Sequence, residues 1–89
     1  MNWEASGLIT EELPITTGVT RENKDWEKRE YIVEIDERYH TKMKFSIYSW
    51  DGPIENPPKV GDKVTFYFTI KARKYKDAWF NEVEAYRFE

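Results

Sequence analysis

The sequence predicts an all-β fold: a five-stranded Greek-key barrel with a long final hairpin and no substantial helix. Three observations carry this. The dominant hydrophobic period is two, the alternating runs are broken by Gly, Pro, Asn and Asp clusters, and 89 residues leave room for one core only. Residues 1–89 therefore form a single domain. The chain is 35% charged, yet 17% of it is aromatic, which supplies the large apolar area that a disordered chain lacks.

The first strand, about Trp3 to Leu13, contains Gly7 and ends at Pro14. Gly7 supplies the kink on which a barrel closes. Ile15 to Asp25 then reads as a long polar loop. The second strand, about Trp26 to Asp36, places Tyr31, Val33 and Ile35 on one face, and the third, about Lys42 to Trp50, places Met43, Phe45 and Ile47 inward. Pairing Val33 with Phe45, Ile35 with Met43 and Tyr31 with Ile47 gives every inner residue an apolar partner and sets Glu34 against Lys44. The turn is Glu37 to Thr41. The connection Asp51-Gly52-Pro53-Ile54-Glu55-Asn56-Pro57-Pro58 is too proline-dense for a helix.

The fourth strand, about Lys63 to Arg73, alternates Val64, Phe66, Phe68 and Ile70 with polar residues, and the fifth runs from about Trp79 to Phe88. A turn at Lys76-Asp77 sets Ile70 against Val83, Phe68 against Ala85, Lys71 against Glu82 and Tyr67 against Tyr86. The same register places Lys74 opposite Trp79, beyond the core and above the groove of strands two and three. Val33, Ile35, Met43, Phe45, Ile47, Val64, Phe66, Phe68 and Ile70 are all expected inside. This layout fits the OB-fold better than an SH3-like barrel, because strands one, four and five are long.

Chemistry is limited by inventory. With one histidine, His40, in an exposed turn and no cysteine, neither a catalytic triad nor a thiolate metal site is available. A metal set of Asp36, Glu37 and His40 is less simple than a solvated turn. We expect no enzyme activity, no cofactor and no metal. The opening Met1-Asn2-Trp3-Glu4 has no basic and apolar leader pattern, and no window is apolar enough to span a membrane, so a cytoplasmic protein is expected.

The net charge of −3 is unevenly spread: residues 1–37 sum to −6, whereas 38–50 sum to +3 and 59–79 to +4. The two basic stretches interleave cations with rings. Lys42-Met43-Lys44-Phe45-Ser46-Ile47-Tyr48-Ser49-Trp50 presents Lys42, Lys44 and Tyr48 outward and leads to Trp50; the tip of the last hairpin carries Arg73, Lys74, Tyr75, Lys76 and Trp79. With Lys28, these are the candidate site. Rings that stack on bases beside cations that track phosphates are what single-stranded DNA or RNA requires. The bland reading pairs Lys44 with Glu34 and Lys71 with Glu82 as surface ion pairs, and reads Tyr67 with Tyr86 as a cross-strand pair or a homo-oligomer contact. A protein-interaction module on the groove or an exposed strand edge, or an oligosaccharide binder, uses the same rings.

The segments Trp3…Gly7-Leu8-Ile9-Thr10, Trp26-Glu27-Lys28-Arg29-Glu30-Tyr31, Val60-Gly61-Asp62-Lys63-Val64 and Arg73-Lys74-Tyr75…Trp79-Phe80 together resemble a family of small uncharacterised bacterial and phage proteins classed as single-stranded-DNA-binding-like OB-folds. The resemblance spans nearly the whole chain and implies that fold and single-stranded nucleic acid as ligand. Two features depart from it. The connection after strand three lacks the helix many OB-folds place there, and Asp77-Ala78 stands where several relatives have glycine.

Overall fold

The computed structural model describes residues 3–50 and 52–89, so Met1, Asn2 and Asp51 of the segments above lie outside the described residues. It has six strands, β1 (Trp3–Glu12), β2 (Thr16–Val19), β3 (Asp25–Ile35), β4 (Lys42–Ser49), β5 (Lys63–Tyr75) and β6 (Ala78–Phe88). They form one sheet in the order β1-β5-β6-β4-β3-β2, and an additional β1–β3 pairing closes five of them into a ring of hydrogen bonds. No helix occurs among the described residues, and so none that is long and apolar enough to cross a membrane.

The ring closes on β1. Its first half pairs with β5, from Trp3–Phe68 to Leu8–Lys63, and its second half pairs with β3, from Gly7–Ile35 to Glu12–Tyr31. Gly7 and Leu8 belong to both ladders. At Gly7 a Cβ would press on the Glu34 carbonyl oxygen and lie 2.9 Å from both the Glu34 carbonyl carbon and Val33 Cγ2. Only glycine lets the backbones approach this closely, at the point where β1 passes from one ladder to the other. A register shift between Ile9 and Glu11 adds a bulge and further twist.

The expected long loop from Ile15 to Asp25 is instead a hairpin. Beyond Pro14, β2 continues along the β3 edge that β1 has used, pairing Thr16–Lys28 through Val19–Asp25. Pro14 interrupts the ladder without ending it: the Leu13 amide donates to the Glu30 carbonyl at 2.9 Å, and pairing resumes at Thr16. The turn is closed by the Thr20 amide on the Lys24 carbonyl, 2.8 Å, with Asn23 at φ 63°. Gly18 lies beneath Trp26, so near that a Cβ would stand 2.6 Å from the indole.

The β3–β4 hairpin has the expected face but a register two residues away. Tyr31 pairs with Phe45, Val33 with Met43, Glu30 with Ser46 and Glu34 with Lys42. The turn sets the difference. The Ile35 amide bonds the Thr41 carbonyl at 2.8 Å, the Glu37 carboxylate accepts from the Thr41 amide and hydroxyl, and the Asp36 amide is drawn to Ser6 of β1 at 2.9 Å. The first two hold Ile35 opposite Thr41 where Met43 was expected, and the side-chain parity survives.

In the β5–β6 hairpin, Phe68–Ala85, Ile70–Val83, Lys71–Glu82 and Lys74–Trp79 pair as the sequence predicts, and Lys76 and Asp77 turn with φ 47° and 65°. A bulge between Tyr67 and Phe68 places Tyr67 opposite Arg87, whose guanidinium lies 5.1 Å from the ring centre; the expected Tyr67–Tyr86 pair does not form. The remaining seam, β4–β6, is parallel and has two pairs, Ser46–Glu84 and Ile47–Ala85.

Inside the ring, aromatic side chains form one column: Tyr31 to Phe45 at 5.5 Å between centroids, Phe45 to Phe66 at 4.3 Å, Phe66 to Phe68 at 5.4 Å, and Phe68 to Trp3 at 6.1 Å. Ile9, Val33, Ile47, Val64 and Ala85 fill around it, with Ile35 and Met43 half-buried at the margin. Ile70, expected inside, is 47% exposed. The reason is topological: β1 covers β5 no farther than Phe68, and the hairpin beyond is an uncovered arm. The Tyr31 hydroxyl is buried with no hydrogen-bond partner among the described residues. Burial holds it above the ordinary tyrosine range, although nearby Arg29 partly offsets this.

Gly7→Ala is expected to destabilise the domain by ~1–3 kcal/mol, since the clash is with backbone. In a domain of this size that lowers the thermal midpoint by about 4–8 °C per kcal/mol. A circular-dichroism melt measures it; an unchanged midpoint would show that the ring does not depend on this approach.

Candidate functional site

Strand alternation sorts the candidate residues onto two faces. Lys28–Tyr48, Glu30–Ser46 and Glu34–Lys42 are cross-strand pairs on the outer face of β3–β4. Arg73–Phe80 and Lys71–Glu82 are pairs on the outer face of β5–β6. The two faces meet across the β4–β6 seam in a groove of about 340 Å³ lined by Lys28, Glu30, Lys44, Arg73, Phe80 and Glu82.

Glu82 organises this groove. It accepts the Tyr48 hydroxyl at 2.6 Å and pairs with Lys28 at 3.7 Å and Arg73 at 2.8 Å. Glu30 pairs with Lys28 at 3.9 Å and Lys44 at 3.5 Å. Lys44 therefore finds Glu30, not Glu34, because of the register difference, and Glu34 takes His40 at 3.3 Å. Lys71 pairs with Glu84 at 3.1 Å, and Glu82 is left to Arg73. Burial pushes the Glu82 carboxyl up, but the Tyr48 hydrogen bond and the charges of Lys28 and Arg73 outweigh it and hold the group below its ordinary value. Tyr48 is pushed well up, by burial first and then by the facing Glu82.

At one end of the groove lies an aromatic platform. Trp50 stacks on Tyr48 at 5.4 Å and an interplanar angle of 3°, and meets Trp26 at 6.1 Å and 40°. Lys28 Nζ stands 5.4 Å from the centre of the Tyr48 ring. Trp50 is 59% exposed and borders the β2–β3 turn with Arg21 and Lys24. At the other end is the β5–β6 arm, where Tyr75 and Phe80 share a face with Arg73 and both are exposed. Lys76 Nζ sits 5.4 Å from the Tyr75 ring centre.

Lys74 and Trp79 are cross-strand partners as predicted, yet they lie on the reverse face of the arm, and Phe80 with Arg73 takes the place above the groove. Trp79 is 67% exposed, so it does not fold back to cap the ring. Among the described residues Lys74 and Lys76 make no ion pair. Lys42 lies away from the groove, at the turn end of β4 opposite Glu34. Sequence reasoning missed Phe80, Trp26 and Glu82. The pairing of Arg73 with Phe80 was implicit in the hairpin register; Trp26 became visible only with β2.

A second cluster holds the proline-rich connection. Glu27 receives Arg29 Nε at 3.1 Å and the Ile54 amide at 3.1 Å, and Arg29 also reaches Glu12 at 3.3 Å. Burial raises the Glu27 carboxyl, but these donors leave it below its ordinary value.

Because Glu82 is held below the usual carboxylate range, its contribution to stability is complete above about pH 4.5 and is lost as the pH falls through its folded-state value. Glu82→Gln is expected to lower stability at neutral pH and to flatten this part of the acid limb. Urea unfolding at pH 7 and at pH 3 measures both; an equal loss at both pH values would assign the effect to packing instead.

The matched family covers nearly the whole of this architecture. Residues 4–89 match the model described as "Domain of unknown function (DUF3127)". No curated protein matches the chain. As that match runs through all six strands, the chain belongs to the DUF3127 family.

Proposed function

We propose that the protein is a non-catalytic OB-fold module that binds single-stranded nucleic acid, DNA foremost, by stacking bases on exposed rings and neutralising phosphates with lysine and arginine. The fold part of this reading is supported by the ring order. With β2 counted as an extension of β1, the strands run first-second-third-fifth-fourth and back to the first, and the third and fifth are parallel. In OB-folds the ligand lies across strands two and three, between the first and fourth connecting loops. Those positions correspond here to the outer face of β3–β4, the β2–β3 turn and the β5–β6 arm.

The observation that carries the proposal is the alignment of exposed rings along that face. Trp50 stands at one end and Phe80 and Tyr75 at the other, with Lys28, Lys44 and Arg73 between them. Lys44 and Arg73 are each more than half exposed, so their cationic groups stay within reach of phosphate while Glu30 and Glu82 hold them along the groove. Lys74, Lys76 and Trp79 engage a strand that continues round the tip of the arm.

A fluorescence titration with labelled oligo-dT tests this. With roughly three to five phosphate contacts, log affinity should fall against log salt with a slope of about −2 to −4. Trp50→Ala and Phe80→Ala should each weaken binding by ~1–3 kcal/mol with the slope unchanged. Trp79→Ala, on the reverse face, should cost less than either and leave the thermal midpoint in place. A slope near zero, or duplex bound as tightly as single strand, would remove the stacking mechanism and favour a protein or sugar ligand.

A further inference from the structure

β2 is an open edge of the sheet: it pairs with β3 on one side, and no described strand pairs with it on the other. The Thr20 amide bonds Lys24, which fixes the alternation along this hairpin. Gly18 and Thr16 turn their backbone groups toward β3, and Thr17 and Val19 turn their N–H and C=O outward. Exposed edges in natural proteins are usually guarded by charge, proline or a bulge. Here Thr16 to Thr20 carries neither charge nor proline in a chain that is 35% charged. The free edge of the arm, by contrast, carries Lys71, Arg73 and Lys74, which repel a second copy.

We propose that β2 pairs antiparallel with β2 of a second copy of this chain, about a two-fold axis through Gly18. In that register Thr17 of each copy exchanges both backbone hydrogen bonds with Val19 of the other, using the groups that point outward. Thr16 faces Thr20, which places β-branched residues opposite each other. Gly18 faces Gly18 at a non-hydrogen-bonded position, where antiparallel backbones come closest and side chains would crowd. The match is isologous, as a closed dimer requires.

The pairing has a geometric result. Trp26 lies over Gly18, on the same face as Trp50, so the axis brings Trp26 of one copy beside Trp26 of the other. Two aromatic platforms then join into one strip across the dimer. The dimer itself does not depend on the nucleic-acid reading, and its test uses no ligand.

Sedimentation equilibrium of the full chain over a concentration series should show a monomer–dimer equilibrium. Thr17→Pro removes an outward N–H that the monomer does not use, and Thr17→Lys guards the edge with charge; each should abolish the dimer without shifting the thermal midpoint. The chain has no cysteine, so a mixture of Thr16→Cys and Thr20→Cys chains under mild oxidation should yield a disulfide-linked heterodimer, and Thr16→Cys alone should not. A wild-type chain that stays monomeric at the highest concentration reached, a dimer that persists in Thr17→Lys, or a cysteine mixture that fails to cross-link would each overturn the proposal. Oligo-dT binding by a monomeric wild-type chain would do so without touching the proposed function.

Discussion

The close approach of Gly7 to the β3 backbone is the constraint on which the ring depends. A strand has two edges, and β1 uses one for β5 and the other for β3, so its middle must turn from one ladder to the other within two residues. A side chain at Gly7 would occupy space already taken by the Glu34 carbonyl. The aromatic column then follows, because ring closure brings Phe45 of β4 against Phe66 of β5 at 4.3 Å although those strands never pair. With a core this slim, the outer part of the β5–β6 hairpin is left outside it as the arm.

Much of this was legible in the residues. Strict alternation in Val64 to Phe68 and in Tyr31 to Ile35 identifies the inner face, and a turn at Lys76-Asp77 fixes the last hairpin from Phe68 onward. Parity alone does not fix register, however. The β3–β4 hairpin keeps its inner face under a shift of two, and the choice is made by the Glu37 carboxylate, the Thr41 amide and the pull of Ser6 on Asp36. Those are tertiary and turn contacts with no periodic signature. The hairpin hidden in Ile15 to Asp25 escaped for another reason: Pro14 and a run of threonines look like a loop, and only the free edge of β3 makes a strand of them.

The site was partly legible too. Lys28, Lys44, Tyr48, Trp50 and Arg73 do converge, but which carboxylate each cation meets follows from register and could not be read in advance. One carboxylate, Glu82, ties three strands together through a hydroxyl, an ammonium and a guanidinium. The polar groups of the groove thus form a clasp that crosses from β3 and β4 to the base of the arm. The groove's carboxylates neutralise its lysines and arginine, which is how so many cations share one face.

The two-pair β4–β6 seam is the shortest ladder of the ring. Every other junction is a ladder of four or more pairs, so here side chains supply what the backbone does not: Ser46, Ile47 and Ala85 are buried, and Glu82 of β6 reaches Tyr48 of β4 and Lys28 of β3. The ring is thus sealed at its shortest ladder by packed side chains and one carboxylate more than by backbone hydrogen bonds.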